Sequence, residues 1–150
     1  MQESTYQQAI ELIEQNRDIV NFAPYGKGIT DEWIQKAEQR LKVKLPPTYI
    51  WWLKNYSGGD ILGDEIYSIY QIDFDQVTGG DLVYMNELNR KDGFSGSHQL
   101  IIQETDFGEV YFFHLEEKDE NGEYPVYVND LQHRYAGNFL EFLIKKIKEL

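Results

Sequence analysis

Any acid–base chemistry in this chain would rest on three histidines and 26 carboxylic acids. His98, His114 and His133 stand alone, with no His-x-His or His-x-x-x-His pair, so the spacing that sets two imidazoles on one metal is missing. Ser95-Gly96-Ser97-His98 puts hydroxyls beside an imidazole, but sequence neighbours rarely converge as nucleophile and base. That segment reads as a polar loop. The other Ser and Thr residues fall in caps and turns, none in a Gly-x-Ser-x-Gly elbow. Cysteine is absent, which removes thiolate ligands and disulfides together.

The carboxylates are no more specific. Asp119-Glu120-Asn121-Gly122-Glu123 has calcium-loop residue types without the alternating ligands and distal Glu of such a loop; a hairpin turn explains it better. Paired carboxylates about 5–10 Å apart could hydrolyse glycosides, but among so many acids some pair always meets that distance. Gly58-Gly59 and Gly79-Gly80 are each followed by an aspartate, which opposes phosphate binding. The chain is therefore expected to be no enzyme and to hold neither metal nor organic cofactor.

Charge is distributed unevenly. Residues 1–59 carry seven acids and seven bases, residues 60–131 carry 17 acids against Arg90, Lys91 and Lys118, and residues 132–150 have a net charge of +2. The middle segment, at −14, repels nucleic acid and anionic membranes and draws basic partners quickly. Residues 1–22 have polar residues through their apolar positions, and no run approaches the roughly 18 apolar residues of a membrane span. A cytoplasmic protein is expected.

These residues need a scaffold, and 150 residues suit a single domain that buries roughly 70% of its unfolded surface. Ser4-x-x-Gln7 reads as a capping box ahead of a helix running to about Asn16, and Asn21 to Gly28 reads as a loop. Thr30 caps a second helix whose inner face is Trp33, Ile34, Ala37 and Leu41. Pro46 stops it, and Pro47 opens a third helix ended by Gly58 or Gly59. Ile61 to Ile72 reads as one or two strands broken at Gly63-Asp64. Thr78 to Gly93 reads as a helix with Leu82, Met85 and Leu88 inward.

Gln99–Glu104 and Glu109–His114 flank an Asp106-Phe107-Gly108 hairpin turn. Glu116–Glu123 is an acidic loop, and Pro125–Asn129 reads as a short strand placed at an edge by its proline. Asn138-x-x-Glu141 caps a final helix through Phe139, Phe142, Leu143 and Ile147. The expected fold is one α+β domain over residues 1–150: a mostly antiparallel sheet of about four to six strands packed with about four to five helices.

In order, Ile29-Thr30, Ala37-Glu38, Leu41, Leu45-Pro46, Tyr49, Trp52-Leu53 and Gly58-Gly59 form a recognisable opening. With Ile61-Leu62-Gly63, Leu100-Ile101-Ile102, Asp106-x-Gly108 and Asn138-Phe139-x-x-Phe142-Leu143, it resembles the SUKH superfamily, which includes the fungal Smi-one/Knr-four cell-wall regulators. Trp52 stands where Phe is commoner, and Pro47 doubles the proline.

The resemblance implies a non-catalytic binding domain. Many bacterial members look like immunity proteins (antitoxins) that neutralise a secreted polymorphic toxin, often of the LXG type with a nuclease domain. Fungal relatives imply the alternative of a regulatory interaction scaffold with no toxin partner. The partner expected here is a basic cognate toxin domain. The expected contact face combines Asp60, Asp64 and Glu65 with Asp106 and Glu109, joined by Glu116, Glu117, Asp119 and Glu120, with Tyr67 or Tyr70 as aromatic anchors.

Overall fold

The computed structural model describes residues 5–150. Thr5 accepts the Gln8 amide at 3.1 Å and opens α1 (Tyr6–Gln15), which buries Ala9 and Ile13. Ser4, expected in that capping role, lies outside the described residues. The segment expected as a loop from Asn21 instead holds β1 (Val20–Phe22). Three residues are too few to display alternation; pairing with a later strand, Val20 opposite Ile61, is what defines it.

Thr30 caps α2 (Asp31–Leu41), whose buried face is Ile34, Ala37 and Leu41 with Trp33 half-buried. Pro47 begins α3 (Pro47–Tyr56). Pro46 offers no side-chain cap there. The buried Glu123 supplies it from a loop 75 residues away, accepting Thr48 N at 2.9 Å and Thr48 Oγ1 at 2.8 Å. The helix ends on Ser57, at φ 64°, so the turn expected on a glycine falls one residue earlier.

β2 (Gly59–Ile61) and β3 (Asp64–Ile66) form a hairpin through Leu62 and Gly63, both at positive φ. That handedness matches the twist of paired strands. Helix α4 (Leu82–Lys91) starts later than expected because Asp81 caps it, accepting Tyr84 N at 2.9 Å. Its inner face is Leu82, Val83, Asn86 and Asn89, while Met85 is half-buried and Leu88 exposed. The difference has a backbone cause. β3 stops at Ile66, leaving the next strand without a neighbour on that side at Ile101, and Asn86 fills the gap by accepting Ile101 N at 2.7 Å and donating to Ile101 O at 2.8 Å. A carboxamide here does the work of a strand.

β4 (Gln99–Glu104) and β5 (Val110–His114) pair as expected, with a register shift between Ile101 and Gln103. β6 (Val126–Val128) lies between β5 and β7 (Arg134–Ala136), so it is not the edge its proline suggested. Pro125 precedes the ladder and contributes only its carbonyl, to His114 N at 3.0 Å. Asn138 caps α5 (Phe139–Lys148), accepting Glu141 N at 2.9 Å.

The sheet runs antiparallel in the order β1 to β7, one strand above the expected range. On one face Tyr111 and Phe113 meet α3 and α5 through Phe142, Tyr49 and Phe139. Residues alternating with them, Ile101, Glu104, Val110 and Phe112, form the other face, which α4 covers in part.

Candidate interaction surface

Strand alternation divides the expected acidic face. Asp60 on β2 sits directly opposite Glu65 on β3, so both project to the face carrying α4. Asp64, one residue away, projects to the other. The register that pairs Ile66 with Gln103 sets Glu104 in the rung beside Glu65. Asp60, Glu65 and Glu104 thus form a band of carboxylates across three adjacent strands. Like charges so placed repel. Among the described residues no Lys, Arg or His forms an ion pair with any of the three.

Hydroxyls and amides support the band. Tyr70 donates a short hydrogen bond to Glu65 Oε2 and accepts Gly80 N at 2.8 Å. Tyr67 donates to Glu104 Oε1 at 2.8 Å, and Asn89 Nδ2 donates to the same oxygen at 3.1 Å. Asp60 Oδ1 accepts Asn21 Nδ2 and Gly63 N, each at 2.9 Å. Burial, then the bond to Glu65, pushes the Tyr70 hydroxyl up to about 12. Burial followed by the Glu104 bond raises Tyr67 as well, so both phenols are donors at neutral pH. A Cβ at Gly80 would push the Glu65 carboxylate out of this position.

Tyr67 is 6% exposed and anchors the interior instead of a partner, its carbonyl taking the Tyr49 hydroxyl at 2.6 Å. Tyr70 stays half-exposed at the edge of a cleft of about 380 Å³ that runs between Gly58-Gly59 and Ser68 to Ile72, with Glu65 in its wall.

The remaining acids lie apart. Asp64 Oδ1 accepts Asp106 N at 3.0 Å, tying the two hairpin turns together. Glu109 belongs to that turn, its amide donating to Thr105 Oγ1 at 3.2 Å. Between Asp106 and Gly108, Phe107 is 93% exposed, the aromatic ring most open to a partner. Glu116, Glu117, Asp119 and Glu120 are exposed at the opposite end of β5, whose five residues span about 17 Å. Two of these acids are engaged. Glu117 accepts the Tyr127 hydroxyl at 2.6 Å, and Asp119 accepts Asn121 N and Glu123 N at 2.8 and 3.0 Å.

Sequence reading missed Glu104 and Phe107 as surface candidates. Counting Glu104 opposite Glu65 required the register; Phe107 was visible as the tip of a predicted turn.

A larger cleft of about 630 Å³ lies by Trp33, Lys36, Arg40 and Phe74. Its Arg40 is already held by Glu87 at 2.7 Å and Asp75 at 2.8 Å, which straps α2 to α4. The His98 and His114 rings lie 5.9 Å apart, but among the described residues no group of three His, Asp or Glu side chains is placed to hold a metal. No described helix is long and apolar enough to cross a membrane. A SUKH family model described as SMI1-KNR4 cell-wall matches residues 31–143.

Proposed function

The chain belongs to the SMI1-KNR4 (SUKH) family, and we propose that it is a cytoplasmic immunity protein. It binds a cognate secreted toxin of the nuclease class in the bacterium that makes both, and it blocks that toxin stoichiometrically with no catalysis of its own. The observation that carries this reading is the band of Asp60, Glu65 and Glu104, which among the described residues forms no ion pair with a base. A nuclease that grips phosphates needs a basic groove. A polyanionic surface competes for that groove and docks at an electrostatically accelerated rate. Asp64, Asp106 and Glu109 extend the field around Phe107, which serves as the apolar anchor in place of Tyr67.

The test is co-expression with the toxin domain encoded beside the gene. The parent protein restores growth, and the double change Asp60→Lys with Glu65→Lys abolishes protection and flattens the salt dependence of binding. Unchanged protection with an unchanged salt slope rejects this surface. The matched family's cell-wall description favours one second reading, a regulatory scaffold for housekeeping proteins. A gene neighbourhood without a toxin, together with capture of a non-toxic host protein, would select it.

A further inference from the structure

We propose that the cleft beside Glu65 is a receptor for one cationic side chain, arginine or lysine, presented by the partner. The source of that side chain rests on the reading above, whereas the chemistry of the cleft does not. Glu65 Oε2 is occupied by the Tyr70 hydroxyl, and that hydroxyl is itself pinned by Gly80 N. Oε1 has no hydrogen-bond partner among the described residues. The carboxylate is thus fixed in place with one oxygen still able to accept.

The rest of the cleft suits a long apolar stem with a charged tip. Ile72, 49% exposed, and Tyr70 both line it and supply aliphatic and aromatic surface. The opposite wall is bare backbone. A Cβ on Gly58 would collide with Ser68, and one on Gly59 with the Asn21 carbonyl, so no side chain intrudes from that side. Anions are disfavoured by Asp60 and Glu104 on the flanking strands. A neutral amide forgoes the attraction between charges that gives such hydrogen bonds their strength.

An amide-resolved NMR titration of the full chain tests this directly. The probes are Nα-acetyl-arginine methylamide, its lysine counterpart and its citrulline counterpart, which keeps the shape of arginine without the charge. Saturable shifts at the Gly58, Gly59 and Gly80 amides are expected with both cations, and about tenfold weaker binding with citrulline. Glu65→Gln, which can still accept from Tyr70, should weaken cation binding by about tenfold while keeping a dispersed spectrum. Absence of shifts, parity of citrulline with arginine, or parent-like binding by Glu65→Gln overturns the proposal. Should Glu65→Gln not fold, the citrulline comparison on the parent decides. Toxin protection alongside a failed titration removes the receptor and leaves the immunity reading intact; the reverse outcome removes that reading and leaves the receptor.

Discussion

Asp60 and Glu65 face one another across β2 and β3, each carboxylate supported by hydrogen bonds and neither, among the described residues, by a base. Directly opposed like charges cost a hairpin up to about 1 kcal/mol. Asp60→Asn or Glu65→Gln, each of which retains an acceptor oxygen, should therefore raise stability by about 0.3–1 kcal/mol. Urea denaturation at low ionic strength measures it, and the gain should shrink with added salt. Destabilisation by both changes would mean the acids are compensated.

Asn86 closes the open edge of β4 at Ile101. Asn86→Leu keeps the branched side-chain skeleton with bulkier methyl ends and leaves Ile101 N and O buried without partners, at a cost of about 2–4 kcal/mol. Denaturant midpoints give the loss. Accelerated exchange of the Ile101 amide would locate it.

Glu123 holds the N-terminus of α3 from the far side of the chain. Burial raises its pKa, partly offset by the Thr48 bonds that favour its charge. Glu123→Ala should cost about 1–2 kcal/mol, the range for a lost helix cap, and should loosen the acidic loop that precedes it. A circular-dichroism melt compared with Glu123→Gln, which keeps an acceptor, separates the cap from the charge.

Five helix and strand assignments were legible from chemistry local to each segment: Thr30, Pro47 and Asn138 mark helix starts, and the Phe107 turn marks β4 and β5. β1 and β7 were not legible, because three-residue strands are specified by their partners. The phase of α4 was misread because its sheet-facing positions include two asparagines. The acidic surface was legible as composition but not as geometry. Whether Asp64 joins Glu65 depends on a one-residue alternation that only the pairing reveals.

Leu62 adopts φ 52° in the β2–β3 turn while 59% exposed. A side chain branched and bulky at that backbone conformation carries strain of about 1 kcal/mol or more. Leu62→Asn, which tolerates it, should raise the melting temperature by a few degrees, roughly the shift that about 1 kcal/mol produces in a domain this size.

Alkaline pH should unfold the protein. Burial is the first cause raising Tyr56, Tyr70 and Tyr111 to about 12, with nearby carboxylates adding to it. The folded state therefore holds phenolic protons that the unfolded state releases from about pH 10. Stability from this source is intact below pH 10 and declines as pH rises towards 12. Melting temperature followed with tyrosinate absorbance checks the coincidence of ionisation and unfolding.

Strand order along the sheet equals strand order along the chain, so each strand docks onto the one synthesised before it. No strand has to be inserted between two already paired, although β1 and β2, and β3 and β4, are joined across intervening helices. The rungs bearing Asp60, Glu65 and Glu104 belong to β2, β3 and β4, all synthesised before α5. The immunity role proposed above would be well served by an acidic surface that is in place before the chain has finished closing.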